Sequence, residues 1–117
     1  MLLINRVAAW VMVAAIVALT VVPPGLRPIT AFPHGIEHAF TFLAVGILFG
    51  MAYIEREWIL GIGVVVFCAA IEILQLYVPG RHARIGDFVI DSAAGIAGVF
   101  LVAFVRRLAE GPASSAR

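Results

Sequence analysis

The chain has 117 residues, a mass of 12.5 kDa and a formal net charge of +1, so it holds one domain and gives no electrostatic reason to expect nucleic-acid binding. Hydrophobic residues make up 63% of it and charged residues 13%, against roughly 25% charged residues in soluble domains. The mean hydropathy of +1.09 excludes a soluble globular fold and indicates an integral membrane protein.

Four apolar segments are long enough to form membrane-spanning helices, each of which needs about 20 residues. They cover residues 2–22, 36–54, 58–78 and 87–105. Because a backbone in lipid must satisfy its own hydrogen bonds, we predict an all-α fold: a single domain over residues 1–117, built as an integral membrane bundle of four transmembrane helices. The small and polar residues of 108–117 predict a flexible tail.

The connections between the segments indicate how the helices are arranged. Pro23-Pro24-Gly25 ends the first helix and Pro79-Gly80 ends the third. Only Glu55-Arg56-Glu57 separates the second helix from the third, so these two are predicted to be antiparallel neighbours. Four spans place both termini on one side, together with five of the eight arginines. The positive-inside rule then predicts an N-in, C-in, multi-pass protein of the bacterial inner membrane.

The first helix has no polar residue between Val7 and Leu19, so its outward face must meet lipid or another protein. The lone cysteine, Cys68, excludes a disulfide framework and a multi-cysteine zinc site. We expect Cys68 and the scattered aromatic residues to face lipid or an interface. Among the aromatic residues, those that fit anchors in the interfacial belts are Trp10, Trp58 and Tyr77.

Ionisable residues converge at the end of the bundle opposite the termini, and such residues in a membrane are candidates for function. Glu72 and Gln75 share one face of the third helix, and Asp87 and Asp91 share one face of the fourth. The other end carries ordinary flanking charges. The predicted polar cluster comprises His38, Glu72, Gln75, Arg81, Arg84, Asp87 and Asp91.

The spacing of these residues predicts their relative depth. Residues can be counted along the third and fourth helices from the turn that joins them. By this count, Gln75 and Asp91 lie at a similar depth below the end of the bundle, and Glu72 lies about one helical turn deeper. Gly95 and Gly98 continue the Asp91 face and allow another backbone to approach. We therefore predict that the third and fourth helices pack tightly around carboxylates, which the two loop arginines neutralise.

Four interpretations of the polar cluster stay open, and a structural ion-pair network is favoured. The second is a pocket for a polar headgroup or small amphiphile. The third is a proton-handling or metal site built from His38, Glu72 and Asp91, although no spacing such as H-E-x-x-H supports it. An enzyme is the least favoured, because no Ser or Cys nucleophile has a base close in sequence. We expect no catalytic residues, no metal and no directly bound cofactor.

The chain resembles the VanZ-like family of small polytopic membrane proteins over about residues 34–105. The family pattern is a Glu, a Gln three residues later, an Arg after a Pro-Gly turn, an Asp and a glycine-rich helix. The residues that fill these roles are Glu72, Gln75, Arg81, Asp87, Gly95 and Gly98. A second match is the His-Phe helix, HAFTFLAVG, from His38. The family usually has Asp-Lys before that histidine and Asn where this chain has Asp91.

Two functions follow from this interpretation. A small bundle with almost no extramembrane mass acts through its lateral faces, so we expect a non-enzymatic accessory subunit of a larger membrane complex. One candidate resembles protein W, which interrupts the light-harvesting 1 ring around a purple-bacterial reaction centre and leaves a passage for quinone. Any contact with lipid, quinone or pigment would then come through partners. The alternative is a free-standing VanZ-like envelope protein of the glycopeptide-tolerance type, which binds a lipid-linked or glycolipid headgroup at its outer face.

Overall fold

The computed structural model describes residues 2–21, 34–77 and 85–115, and these residues form four helices. The helices are α1 (Leu2–Val21), α2 (His34–Ala52), α3 (Glu57–Gln75) and α4 (Ile85–Ser115). The prediction of an all-α fold with four helices is confirmed. The helix starts agree closely with the sequence pattern, and the main difference lies at the end of α4.

Helix α4 continues past its predicted end at residue 105. The helix runs on through Glu110, because Arg, Leu, Ala and Glu are all good helix formers. The break falls at Gly111, whose φ of 73° and ψ of −179° suit glycine, since a Cβ would clash in that conformation. The regular helix therefore enters the segment 108–117 that composition assigns to the tail.

Three of the helices are long and apolar enough to cross a membrane, over Leu2–Thr20, Glu57–Gln75 and Ile85–Gly111. The chain is therefore a membrane protein with transmembrane helices. Helix α2 has 19 residues, but its apolar part is the shorter Ala39–Ala52, because Glu37 and two histidines lie in its first turns. The fourth span stays a prediction.

Contacts between helix ends define the direction of each helix. Arg6, near the start of α1, donates a hydrogen bond to the carbonyl of Ala52, at the end of α2. Glu57, at the start of α3, pairs with Arg106, near the end of α4. The helices thus alternate in direction, and α2 is parallel to α4. We call the end that contains these contacts the terminal end, and the opposite end the polar end.

Helix α4 is the central helix, because α2 and α3 both pack mainly against it. Helices α2 and α3 are antiparallel, as predicted, but they touch each other only slightly. Their connection contains Glu55 in a left-handed conformation, with φ 66°. Helix α1 packs on α2, reaches α3 with a few residues and, within the described residues, does not touch α4.

An apolar core fills the space between the helices. Helix α2 contributes Phe42 and Val45, α4 contributes Val99, and α1 contributes Ile16; α3 supplies three further residues, Val64, Cys68 and Ile71. Because every helix contributes, the core holds all four together. The burial of Cys68 in this core shows that the expected lipid-facing or interface position is wrong.

Within the described residues, the backbones of α2 and α4 approach each other closely. A Cβ added at Gly46 would collide with the carbonyl of Gly95 and lie 3.0 Å from the Val99 nitrogen. A Cβ added at Gly98 would collide with the carbonyl of Leu43. The two backbones can meet only because these positions lack side chains.

The backbone that approaches Gly98 belongs to α2, whereas the sequence analysis expected tight packing between the third and fourth helices. Helix α3 instead presents Val64, whose Cγ1 lies 2.5 Å from a Cβ built at Gly95. The sequence of α2 did contain a pattern that indicates close packing. Gly46 and Gly50 have the G-x-x-x-G spacing, which is typical of close helix pairs in membranes.

We expect Gly46→Ala to lower the free energy of unfolding by about 2 kcal/mol, because the new methyl group forces the two backbones apart. The matched control is Gly63→Ala on α3, where an added Cβ meets nothing within 4 Å. Thermal unfolding of both variants in detergent micelles gives the comparison. Equal melting temperatures for the two variants would contradict the assigned contact.

Candidate functional site

The polar end buries side chains that would ordinarily lie in water. Glu72 and Gln75 on α3 are buried, as are Asp87 and Asp91 on α4; the exposed fraction is 9% for Glu72 and 0% for Asp91. Each of the three carboxylic acids, Glu72, Asp87 and Asp91, interacts with another group in the structure. All four are buried near the end of α3 or the start of α4, which is the end of the bundle where the sequence analysis expects them.

The buried polar region extends deeper than the sequence analysis predicted, through Cys68 and Ser92. The thiol of Cys68 faces Ser92 and lies near the carboxyl groups of Asp91 and Glu72. A signal for Cys68 was present, because it precedes Glu72 by four residues and therefore lies on the same face of α3. The small residues of this region thus line the space around the acids.

The register between α3 and α4 reverses the predicted order of depth. Val64 lies against Gly95 and Cys68 against Ser92, so the same register one turn further brings Glu72 level with the start of α4. Asp91 is therefore about one turn deeper than Glu72, and it is not level with Gln75. The count from the sequence was wrong because it extended α3 to residue 78, whereas the helix ends at Gln75.

Three members of the predicted cluster cannot be placed against these acids. Arg81 and Arg84 lie outside the described residues, and so does the side chain of His38, although its backbone belongs to α2. The neutralisation of the carboxylates by the two arginines stays a prediction. Among the side chains that the structure describes, no group of three or more His, Cys, Asp or Glu residues could hold a metal ion.

The terminal end carries an ion-pair network where the sequence analysis expected only ordinary flanking charges. Nη2 of Arg106 lies 2.8 Å from Oε1 of Glu57, and Nη2 of Arg107 lies 3.8 Å from the same oxygen. The Glu57 side chain is largely buried between the two helices. Glu57 and Arg106 are 49 positions apart in the sequence, so only the fold shows this pairing.

A second group of contacts at the terminal end ties α1 to α2. The guanidinium of Arg6 lies over the ring of Tyr53, with its carbon 4.8 Å from the ring centroid. Nε1 of Trp10 donates a hydrogen bond of 2.9 Å to the Tyr53 hydroxyl, and the Trp10 ring meets Phe49 edge-on. These contacts hold one end of α1, the helix that packs least extensively against the rest of the described bundle.

We expect Asp91→Ala to lower the free energy of unfolding by about 2 kcal/mol, because its removal leaves a buried polar group without its partner. The control is Glu110→Ala, which removes an acid from the exposed end of the same helix and should change stability little. Unfolding in micelles compares the two variants. An Asp91→Ala variant as stable as the control would mean that this acid does not hold the bundle together.

A comparison with known families supports the resemblance seen in the sequence. The family model described as VanZ/LLP1 matches residues 4–106, a range that begins in α1 and ends near the close of α4. No curated protein matches the chain significantly, and neither does any solved structure. Because the matched range covers most of its length, the chain belongs to the VanZ/LLP1 family.

Proposed function

We propose that this chain is a non-enzymatic accessory subunit that packs laterally within a larger membrane assembly. The observation that carries the proposal is the position of α1, which is attached to the bundle on one side only. It contacts α2 and, more slightly, α3. The rest of its surface offers an apolar face along the length of the bundle, which suits a neighbouring transmembrane helix.

The outward face of α1 combines large apolar side chains with small ones. Leu3, Ile4 and Val11 are exposed, and so are Ala14 and Ala18. Two alanines four residues apart leave a shallow site into which a partner helix can pack closely. The face therefore supports lateral contact with another protein as well as with lipid.

The burial of the polar cluster also supports a structural role. A headgroup site would hold its polar side chains open to the ligand, whereas the acids of α3 and α4 face inward and are buried. Asp91 is closed off completely, so it is suited to joining helices rather than to contacting an external molecule. The polar end thus stabilises the subunit from within.

We further propose that the chain lies in the bacterial inner membrane, crosses it four times and has both termini in the cytoplasm. One assembly that such a bundle fits is a light-harvesting ring around a photosynthetic reaction centre, where a four-helix unit would interrupt the ring and leave a passage for quinone. The chain has no histidine in the middle of a span, which suits a ring member that does not ligate pigment itself.

The direct test is the mass and absorption spectrum of the tagged protein after extraction in a mild detergent. We expect it to travel with a large assembly, and for the ring proposal that assembly would be pigmented. Migration as a small colourless species would overturn the subunit proposal. Headgroup binding at the polar end would then be the function to examine next.

We expect Ala14→Trp to release the protein from its assembly, because the indole fills the site that a partner helix would occupy. The control is Ala97→Trp on α4, which adds the same bulk at an exposed position away from α1. Co-purification of each variant with the assembly is the measurement. If Ala14→Trp and the corresponding Ala18→Trp both assemble normally, packing through α1 is excluded.

A further inference from the structure

The guanidinium of Arg6 is held in a fixed orientation at the terminal end. Its Nε donates a hydrogen bond of 3.2 Å to the carbonyl of Ala52, and one face of its plane lies on the Tyr53 ring. These two contacts use one donor atom and one face. The two Nη atoms remain as donors, and the Arg6 side chain is exposed.

Arg6 differs from Arg106 and Arg107, which lie at the same end, in having no acid beside it among the described residues. Arg106 and Arg107 share the carboxylate of Glu57. Within the part of the chain that the structure describes, no carboxylate lies within ion-pair distance of Arg6. An oriented cation without a counter-charge, beside apolar surface, is suited to an external anion.

A second donor lies beside the guanidinium. The indole nitrogen of Trp10 can only donate, so the Tyr53 oxygen accepts the hydrogen bond from Trp10. The proton of the Tyr53 hydroxyl is then available for another acceptor. Phe49 stacks on the Tyr53 ring at 6.0 Å and holds it in place, so both donors have fixed positions.

We propose that Arg6 and Tyr53 form a headgroup site for an anionic phospholipid. The phosphodiester would accept hydrogen bonds from the Nη atoms of Arg6 and from the Tyr53 hydroxyl. The chemistry fits any phosphate oxyanion, but the surroundings favour a lipid. Trp10, which is 56% exposed, lies beside the site, and Val7, the residue after Arg6 on α1, is also exposed, so an acyl chain can lie along this side of the helix.

The position of the site agrees with this assignment. Tryptophan and tyrosine are enriched at the level of lipid headgroups, and both lie here with the arginine. With the predicted orientation, the terminal end faces the cytoplasmic leaflet, where anionic lipids attract basic residues beside the membrane. The proposal is independent of the lateral-subunit function and adds a lipid partner at the opposite end from the polar cluster.

The test is native mass spectrometry of the purified protein in detergent, titrated with phosphatidylglycerol and, separately, with phosphatidylcholine. We expect preferential binding of phosphatidylglycerol and a loss of about tenfold in its affinity for Arg6→Gln, because a charge-assisted pair to phosphate contributes about that factor. The matched control is Arg107→Gln, which removes the same charge from an arginine that pairs with Glu57. An equal loss in the control would overturn the site.

Two further measurements keep the test decisive if Arg6→Gln folds poorly. Arg6→Lys retains the charge but not the planar fork, and Tyr53→Phe retains the ring but not the hydroxyl; each should lower the affinity about threefold. Unchanged binding in both variants would overturn the assigned donors. Inorganic phosphate in place of the lipid should bind far more weakly, and equal binding of free phosphate would overturn the assignment to a lipid.

Discussion

The contact between the backbones of α2 and α4 is the constraint on which the rest of this bundle depends. Two parallel helices meet where Gly46 and Gly98 lack side chains, so α4 lies closer to α2 than ordinary side chains would allow. Helix α3 then packs on another side of α4, with Val64 against Gly95. Helix α1 has no place against α4 and is left at the outside of the bundle.

The two ends of the bundle use charge in opposite ways. At the polar end, acids such as Asp91 and Glu72 face inward between α3 and α4, where burial makes each polar contact strong and each loss costly. At the terminal end, Glu57 is enclosed while the arginines around it stay partly or largely exposed. Among the described residues, one end encloses its acids, and the other keeps its arginines partly or largely exposed.

The length of the apolar segments predicted the helices, and the order of those segments predicted which polar residues share an end. The packing partners could not be predicted in the same way, because in a membrane the outward faces are as apolar as the core, and hydropathy does not distinguish them. The predicted depth of Asp91 depended on the residue at which α3 ends, and the length of an apolar segment does not define that residue. The pairing of Glu57 with Arg106 joins residues that are distant in sequence and left no local signal.

The pairing of α2 with α4 also has a consequence for biosynthesis. A ribosome completes α2 and α3 before α4 exists, so the glycine surface around Gly46 lacks its packing partner until α4 has been made. The close contact of α2 with α4 can therefore form only after the other three helices have been made. A chain truncated before residue 85 lacks α4, the helix against which α2 and α3 pack. We therefore expect membrane proteases to degrade such a chain.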